Sequence, residues 1–278
     1  MSAPAANEIR FEGLGLEYAT KAGPIPAIKE LTGTVPAGSF VSLIGPSGCG
    51  KSSLLDIASS LVKPTSGAML VDGDEILEPR ATTSMVFQEA ALLPWRTIVD
   101  NVAFPLEVRG VGKRARHERA RELLRTVGLE GFAEQRPNNL SGGMRQRAAI
   151  ARALSTEPTL LLMDEPFGAL DQQTRMIMCT QLTDIWEQFG CTVLFVTHDI
   201  GEAIALSDLV WVMSRRPGSL KREVVVDLPR PRAADLPTDS RFQELEAELW
   251  SLLREEADAM HPGASTGSTG KGASKDLV

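Results

Sequence analysis

The fold is decided by a strand, a glycine-rich loop and the start of a helix, Phe40-Val41-Ser42-Leu43-Ile44-Gly45-Pro46-Ser47-Gly48-Cys49-Gly50-Lys51-Ser52-Ser53. The apolar run before the glycines predicts a buried strand, and Leu54, Leu55 and Ile57 after them have helical spacing. In this context backbone N–H groups and the positive end of the helix can converge on phosphate oxygens. We expect Lys51 to reach the β- and γ-phosphates and the Ser52 hydroxyl to ligate Mg²⁺. An ordinary turn that happens to carry Lys and Ser is the competing interpretation.

Spacing and composition narrow the class of protein. The glycines follow G-x-x-G-x-G and not the G-x-G-x-x-G of dinucleotide-binding proteins. A chain of 278 residues with 43% hydrophobic residues can fill one large domain with an inserted subdomain. The 29 basic and 36 acidic residues give a net charge of −7, which argues against a nucleic-acid partner. The sequence shows neither a signal peptide nor an apolar run of membrane-spanning length, so we expect a cytosolic protein.

The order of the predicted elements indicates an α/β fold with a mainly parallel, helix-flanked core sheet. Apolar strands are predicted at residues 40–44, 83–87, 159–163, 192–197 and 209–213. Alternating apolar residues in 9–18 predict an N-terminal antiparallel β-subdomain, and residues 89–157 read as an inserted helical subdomain. We expect the domain to cover residues 1–262 and the Gly/Ser-rich residues 263–278 to be disordered.

Two acids end the apolar run Leu160-Leu161-Leu162-Met163, and their position suggests a cation. Placing charges at the end of a buried central strand is costly unless they are paired. Beside a phosphate loop, Asp164 would hold Mg²⁺ through water and Glu165 would polarise the attacking water. A helix cap or a surface turn before Pro166 is the alternative.

The second candidate for phosphate binding is Ser141-Gly142-Gly143 at the start of a predicted helix. Adjacent glycines expose the first N–H groups of the helix and allow a phosphate to approach closely. The alternative is an ordinary serine cap with a flexible start.

Three motifs follow one another along the chain: the phosphate loop, then Leu140-Ser141-Gly142-Gly143-x-x-Gln146, then Asp164-Glu165-Pro166. Together they resemble the ATP-binding cassette (ABC) family of ATPases. The resemblance covers roughly residues 9–230 and implies a P-loop NTPase fold. It assigns adenine stacking to Tyr18, sensing of the γ-phosphate and Mg²⁺ to Gln88, a γ-phosphate contact to His198 and a dimer-interface loop to Asp171. The alternative interpretations are a strand-end aromatic for Tyr18, a surface amide for Gln88, a turn residue for His198 and a helix cap for Asp171.

The same resemblance implies that the working unit is a head-to-tail pair. ATP would lie between the phosphate loop of one copy, including Gly45 to Ser53, and Ser141, Gly142, Gly143 and Gln146 of the other. Closure would exclude water and complete the charge stabilisation around the triphosphate.

The segments Phe87-Gln88-Glu89-x-x-Leu92-Leu93-Pro94-Trp95 and Thr197-His198-Asp199-Ile200-x-Glu202-Ala203 resemble importer ATPases of the nitrate/sulfonate/taurine/bicarbonate group. This implies contact between residues 88–98 and integral-membrane permease subunits, with a solute-binding protein involved indirectly. It also implies ATP and Mg²⁺ as ligands, and a peripheral location at the cytoplasmic face of the inner membrane. Leu92, Leu93 and Trp95 would then be exposed for contact; burial within the helical insert is the alternative.

Two other classes compete with the importer. A soluble ABC ATPase acting on a macromolecular complex would ordinarily carry two cassettes or a basic coiled coil, and neither is visible. A phosphate-loop kinase or GTPase would not need residues 140–146, and the Asn-Lys-x-Asp motif of GTPases is absent from the sequence.

Overall fold

The computed structural model describes residues 6–168, 170–232 and 236–258. Its strands are β1 (Ile9–Thr20), β2 (Gly23–Val35), β3 (Phe40–Ile44), β4 (Ser66–Val71), β5 (Asp74–Glu75), β6 (Thr83–Val86), β7 (Leu160–Asp164), β8 (Thr192–Val196), β9 (Leu209–Met213) and β10 (Leu220–Val225). Its α-helices are α1 (Lys51–Ala58), α2 (Ile98–Val108), α3 (Lys113–Thr126), α4 (Gly142–Leu154), α5 (Gln172–Phe189), α6 (Ile200–Leu206) and α7 (Ser240–Asp258).

The core sheet has the strand order β10-β9-β3-β8-β7-β6 among the described residues. All neighbouring pairs are parallel except β10 with β9, which are antiparallel. All five residues of β3 and of β8 are buried, as expected for strands covered on both faces. Because the parallel strands share a direction, β3, β8, β7 and β6 present their carboxyl ends at one edge of the sheet.

A second sheet, with the order β2-β1-β4-β5, is antiparallel. β1 and β2 form a long hairpin in which Ile9 faces Val35 and Tyr18 faces Ile25. This sheet confirms the predicted N-terminal β-subdomain. It packs over α1 and one face of the core sheet through a shared cluster that includes Phe11, Leu54 and Trp211.

The helices pack against the core sheet and against one another. The interval predicted to be helical contains α2, α3 and α4, whose apolar faces share a cluster with α5 and the core sheet. α7 packs on its own domain, because Phe242, Leu245 and Leu249 are buried together with residues of α6 and β9. No helix among the described residues has the length and apolar character needed to cross a membrane. The tail 263–278, predicted to be disordered, lies outside the described residues.

Candidate functional site

The phosphate loop follows β3 directly and ends in the first turn of α1. Gly50 has a φ of 103°, and a Cβ there would lie 2.9 Å from the carbonyl oxygen of Ala27, so glycine is needed for both conformation and close approach. Lys51 is 8% exposed, and its ammonium donates to the carbonyl oxygens of Gly45 at 2.9 Å and Pro46 at 3.1 Å. The ammonium thus lies back over the loop, at the edge of the cavity described below.

Cys49, predicted within the same loop, points into the protein. Its side chain is 1% exposed, and burial raises the pKa of its thiol. Its backbone N–H donates to the carbonyl oxygen of Pro46 at 3.3 Å. Cys49 therefore shapes the turn and does not present its sulfur to the cavity.

Asp164 ends β7 beside the first turn of α1. Its Oδ1 accepts a hydrogen bond from the Ser52 hydroxyl at 3.2 Å. Burial raises the pKa of the Asp164 carboxyl, and the Ser52 hydrogen bond opposes this shift. The predicted pair Ser52 and Asp164 is therefore brought together by β3 and β7, whose strands are separated only by β8 in the sheet.

Glu165 contacts one side chain that follows β8 and one that follows β6. Its Oε2 lies 3.3 Å from His198 Nδ1 and 3.4 Å from Gln88 Nε2, which donates to it. The Glu165 backbone N–H donates to the carbonyl oxygen of Val196 at 2.9 Å, and its φ is 41°. The three residues predicted to be catalytic thus form one cluster at the carboxyl edge of the sheet.

A cavity of about 540 Å³ joins most of the predicted nucleotide site. It is lined by Tyr18, Ala27, Gly45, Ser47, Gly48, Gly50, Lys51, Ser52, Ser53, Glu165, His198 and Arg216. The Tyr18 hydroxyl lies 3.0 Å from the Ser53 Oγ, which fixes the ring beside the start of α1. Gln88 and Asp164 contact members of this lining but do not line the cavity themselves.

Sequence reasoning missed Arg216 and Ala27 as parts of this lining. The Arg216 Nε donates to the carbonyl oxygen of Pro26 at 2.9 Å, so it reaches the hairpin from the turn after β9. Arg216 and Pro26 are 190 positions apart, and no local sequence pattern could have paired them.

The predicted second phosphate site lies at the start of α4. Ser141 caps this helix, since its Oγ accepts from the Met144 N–H at 3.3 Å, and both Ser141 and Gly142 are exposed. None of the predicted residues Ser141, Gly142, Gly143 and Gln146 lines the cavity over the phosphate loop. Within one chain, the two predicted phosphate sites are therefore separate.

Gln146 takes a different position from its neighbours in the motif. Its side chain is 4% exposed, and its Nε2 donates to the carbonyl oxygen of Phe87 at 3.4 Å. Arg152, one and a half turns further along α4, donates to the carbonyl oxygens of Ala90 and Ala91 at 3.0 and 2.7 Å. α4 thereby holds the segment around Gln88 in place. A direct nucleotide contact by Gln146 stays a prediction.

The predicted partner loop, residues 88–98, is irregular and leads into α2. Trp95 is 68% exposed, whereas Leu92 packs against the core cluster and Leu93 is half-buried. Asn101 is buried and bonds both backbone groups of Leu93, with the Leu93 N–H at 2.7 Å and its carbonyl oxygen at 3.1 Å. Of the three apolar side chains predicted at this surface, Trp95 is the one most fully presented.

Asp171 lies at the start of α5. Its carboxylate accepts from the Thr174 N–H at 3.0 Å and from the Thr174 hydroxyl at 2.7 Å, and these bonds lower the pKa of Asp171. The cap leaves the carboxylate exposed. Capping and an interface contact are therefore compatible at this residue.

Comparison with known proteins agrees with this geometry. The ABC transporter family matches residues 28–168. The nitrate import ATP-binding protein NrtD of Synechocystis sp. is 42% identical over 252 residues, covering 88% of this chain and 95% of that protein. The taurine import ATP-binding protein TauB of Burkholderia pseudomallei is 42% identical over 246 residues, covering 87% of this chain and 95% of that protein.

A solved structure of the ATP-binding cassette MJ0796, described as a dimer in a post-hydrolysis state bound to ADP and Pi, has the same fold. It matches with a TM-score of 0.71 and 33% identity, and the match covers 80% of this chain and 100% of that one. The fold, the family match and the identity to these relatives lead to one conclusion: the chain belongs to the ABC transporter family and is an ATP-binding protein that hydrolyses ATP.

Proposed function

We propose that this chain is the ATPase subunit of a membrane importer for a small anion of the nitrate/sulfonate/taurine/bicarbonate type. The observation that carries the proposal is that Lys51, Glu165 and His198 line one cavity, with Asp164 bonded to Ser52 beside them, while the exposed Ser141 lies outside it. The import function of NrtD and TauB supports the direction of transport and the class of solute. Solute selectivity itself would belong to a permease and a solute-binding protein.

The working unit is a head-to-tail dimer of two copies. A triphosphate in the cavity would meet the phosphate loop on one side only, because the helix start at Ser141 does not line that cavity. Ser141, Gly142 and Gly143 of a second copy would supply the missing N–H donors. The dimeric state of the related cassette MJ0796 supports this arrangement.

Within the site, Glu165 is the residue that polarises the attacking water. Attack on the γ-phosphorus forms one P–O bond and breaks the bond to the leaving ADP oxygen, while Glu165 receives the proton of the water. His198 and Gln88 both approach its Oε2, so they orient this carboxylate and lie close to where a γ-phosphate would sit. Tyr18, which also lines the cavity, would stack on adenine.

The residues beside the phosphate loop fit Mg²⁺. The Ser52 hydroxyl, the Asp164 carboxylate and the Gln88 amide offer the oxygen ligands that this ion prefers. Asp164 is partly buried, and burial raises the pKa of its carboxyl. A cation bound beside it would offset the free-energy cost of burying the carboxylate charge. When bound, Mg²⁺ supplies positive charge to the β- and γ-phosphate oxygens.

The surface that would contact permease subunits is residues 88–98, at the start of the helical subdomain 89–157. Trp95 is exposed at 68%. The chain before it is held at Ala91 by Arg152 of α4 and at Leu93 by Asn101. The loop begins at Gln88, which contacts Glu165. A change of position at the γ-phosphate would therefore be transmitted to this surface through Gln88. Binding here would hold the chain at the cytoplasmic face of the inner membrane.

The test is Glu165→Gln in the full chain. Gln keeps the shape of the side chain but cannot accept the proton, so we expect ATP binding to persist, turnover to fall by about 100-fold or more, and an ATP-dependent dimer to accumulate. Steady-state hydrolysis and size-exclusion chromatography with ATP measure these effects, and the exposed Glu187→Gln is the matched control. Hydrolysis by Glu165→Gln equal to wild type would refute the catalytic assignment.

Copurification tests the partner class. An importer subunit would be recovered with an integral-membrane protein, and Trp95→Ala would reduce that recovery without changing ATP affinity. Recovery with ribosomes or another soluble assembly, equally by wild type and Trp95→Ala, would favour a soluble ABC ATPase instead.

A further inference from the structure

We propose that Arg175 is a positioning residue that locks the loop of Asp171 to the loop of His198, and so couples the two halves of the composite ATP site. The inference rests on the proposed head-to-tail dimer. One guanidinium reaches both loops: Nη2 donates to the Leu170 carbonyl oxygen at 3.1 Å, and Nη1 donates to Asp199 Oδ2 at 2.7 Å. Its Nε also lies 3.0 Å from Glu202 Oε1.

The third contact is a close ion pair and not a well-aligned hydrogen bond. The Nε of Arg175 is buried without a hydrogen-bond acceptor in good alignment, although the Glu202 carboxylate is adjacent. The Nε group therefore lies against Glu202 Oε1 at 3.0 Å, while the two Nη bonds set the direction of the fork. The Arg175 side chain is only 19% exposed, so water screens these contacts weakly.

On the catalytic side, the contacts of Arg175 fix the backbone around His198. Asp199 uses its other carboxylate oxygen to cap α6, accepting from the Glu202 N–H at 3.0 Å. The Thr197 hydroxyl donates to Glu202 Oε2 at 2.6 Å and accepts from the Asp199 N–H at 3.0 Å. Both residues that flank His198 are thus tied to the carboxylates that Arg175 holds, and His198 lies 3.3 Å from Glu165.

On the other side, Arg175 holds the segment against which the second phosphate site is built. A side-chain carbon at Gly143 would lie 3.3 Å from Thr174 Cγ2 and 3.5 Å from Leu170 Cδ2. The start of α4 therefore packs on Leu170 and on the first turn of α5, which Asp171 caps. In a head-to-tail dimer, the start of α4 serves the nucleotide of the second copy, whereas His198 serves the nucleotide of its own copy.

Arginine is required here because the three acceptors lie in different directions. A guanidinium presents five donors in a planar fork, whereas a lysine ammonium is a single point charge that could hold one carboxylate at a time. Without the guanidinium, the Leu170 carbonyl oxygen would lose its link to Asp199 and Glu202, so the two loops would no longer be joined through one side chain. Burial and the neighbouring Asp199 already raise the pKa of Glu202 to about 7, in keeping with close packing of the two carboxyls.

The experiment compares Arg175→Met and Arg175→Lys with Arg232→Met in the full chain. Arg175 and Arg232 both line a second cavity, which lies among α5, α6 and α7. Arg232 donates to the carbonyl oxygens of Ile204 and Ser207 at 2.7 and 2.8 Å, and these bonds lie outside both loops. Four quantities are measured: the ATP dissociation constant, kcat at saturating ATP, the thermal unfolding midpoint, and backbone amide exchange of residues 170–175 and 197–203 without nucleotide.

We expect Arg175→Met to bind ATP within about twofold of wild type, because Arg175 does not line the nucleotide cavity. We expect kcat to fall by about tenfold or more, and amide exchange to accelerate by a similar factor in both loops together. Arg175→Lys should recover only part of kcat. Arg232→Met should lower the unfolding midpoint while leaving kcat near the wild-type value.

The inference is overturned if amide exchange changes in only one loop or in neither. It is also overturned if kcat stays within about twofold of wild type, or if Arg232→Met lowers kcat as much as Arg175→Met. Should Arg175→Met fail to fold, Arg175→Lys decides the question by the same criteria. The exchange measurement needs neither nucleotide nor a second copy, so it judges the link between the loops separately from the proposed head-to-tail dimer.

Discussion

Glu165 occupies a backbone conformation that side chains rarely adopt, with a φ of 41°. Such a conformation costs of order 1–3 kcal/mol and persists only where surrounding contacts impose it. Here the hydrogen bond from its N–H to the Val196 carbonyl oxygen ties the turn to β8. The result is a carboxylate beside His198 and Gln88, so the strained backbone places the group that we propose to accept the proton of the water.

Tyr18 offers a residue-scale prediction, because its ring and its hydroxyl can be separated. If the ring stacks on adenine, Tyr18→Ala should weaken ATP binding by about 1–3 kcal/mol, the usual contribution of stacking between an aromatic side chain and a base. Tyr18→Phe removes only the contact with Ser53 and should leave the ATP dissociation constant nearly unchanged. Titration with a fluorescent ATP analogue measures both; equal losses in the two variants would rule out stacking.

Residues in contiguous motifs were predictable, and residues that act through distant partners were not. Asp164 and Glu165 follow an apolar strand, and Lys51 follows the glycines, so their chemistry can be inferred within a few positions. Arg152 instead bonds the carbonyl oxygen of Ala91, 61 positions away, and Arg175 bonds Asp199, 24 positions away. An arginine on a predicted helix is ordinarily interpreted as a solvent-exposed surface residue. Nothing in the local sequence distinguished Arg152 and Arg175 from such residues.

At the scale of elements, apolar runs located the five predicted strands of the core sheet to within one residue at each end. The strand predicted at 83–87 is β6 (Thr83–Val86), and the one predicted at 192–197 is β8 (Thr192–Val196). Strong apolar runs made the parallel core sheet predictable, since strands buried on both faces are apolar throughout. The antiparallel pairing of β1 with β4 was not predictable, because it joins residues separated by α1 and depends on tertiary packing.

The short helix α6 leads to a prediction about pH. Burial is the main cause that raises the pKa of Glu202 to about 7 from an ordinary 4.5. Between these two values the folded state holds a proton that the unfolded state has released, so stability falls as pH rises, by up to about 1.4 kcal/mol per pH unit. Glu202→Gln should abolish this part of the slope.

Denaturant unfolding from about pH 4.5 to 8 checks this expectation, with the exposed Glu187→Gln as the control. The free energy of unfolding of wild type should decline relative to Glu202→Gln as the pH rises from about 4.5 to 7. A wild-type curve that stays parallel to the Glu202→Gln curve over this range would show that Glu202 is ionised in the fold at all these pH values.

At the scale of the whole molecule, the two predicted phosphate sites of one chain are separate. The cavity over the phosphate loop contains Lys51 and Glu165, and the exposed start of α4 at Ser141 and Gly142 lies outside it. The sequence could predict both half-sites by motif, but their separation within one chain required the structure. That separation is the physical reason for a dimer: neither half alone encloses a γ-phosphate.

Mixing two inactive variants tests this central claim most directly. Lys51→Ala removes the cation of the phosphate loop. Gly142→Asp adds a negative charge at the other half-site; a Cβ at Gly142 would have nothing within 4 Å, and an acid is favoured at a helix start, so this variant should fold. The neutral Gly142→Asn is its control.

Each variant alone should have little ATPase activity, because every site in its dimer carries the lesion. A mixed dimer has one site with both lesions and one intact site, so mixing should raise activity about tenfold or more above either variant alone. Affinity tags of two kinds confirm that mixed dimers form. Mixed dimers that form and remain as inactive as the separate variants would contradict a site shared between the phosphate loop of one copy and Gly142 of the other.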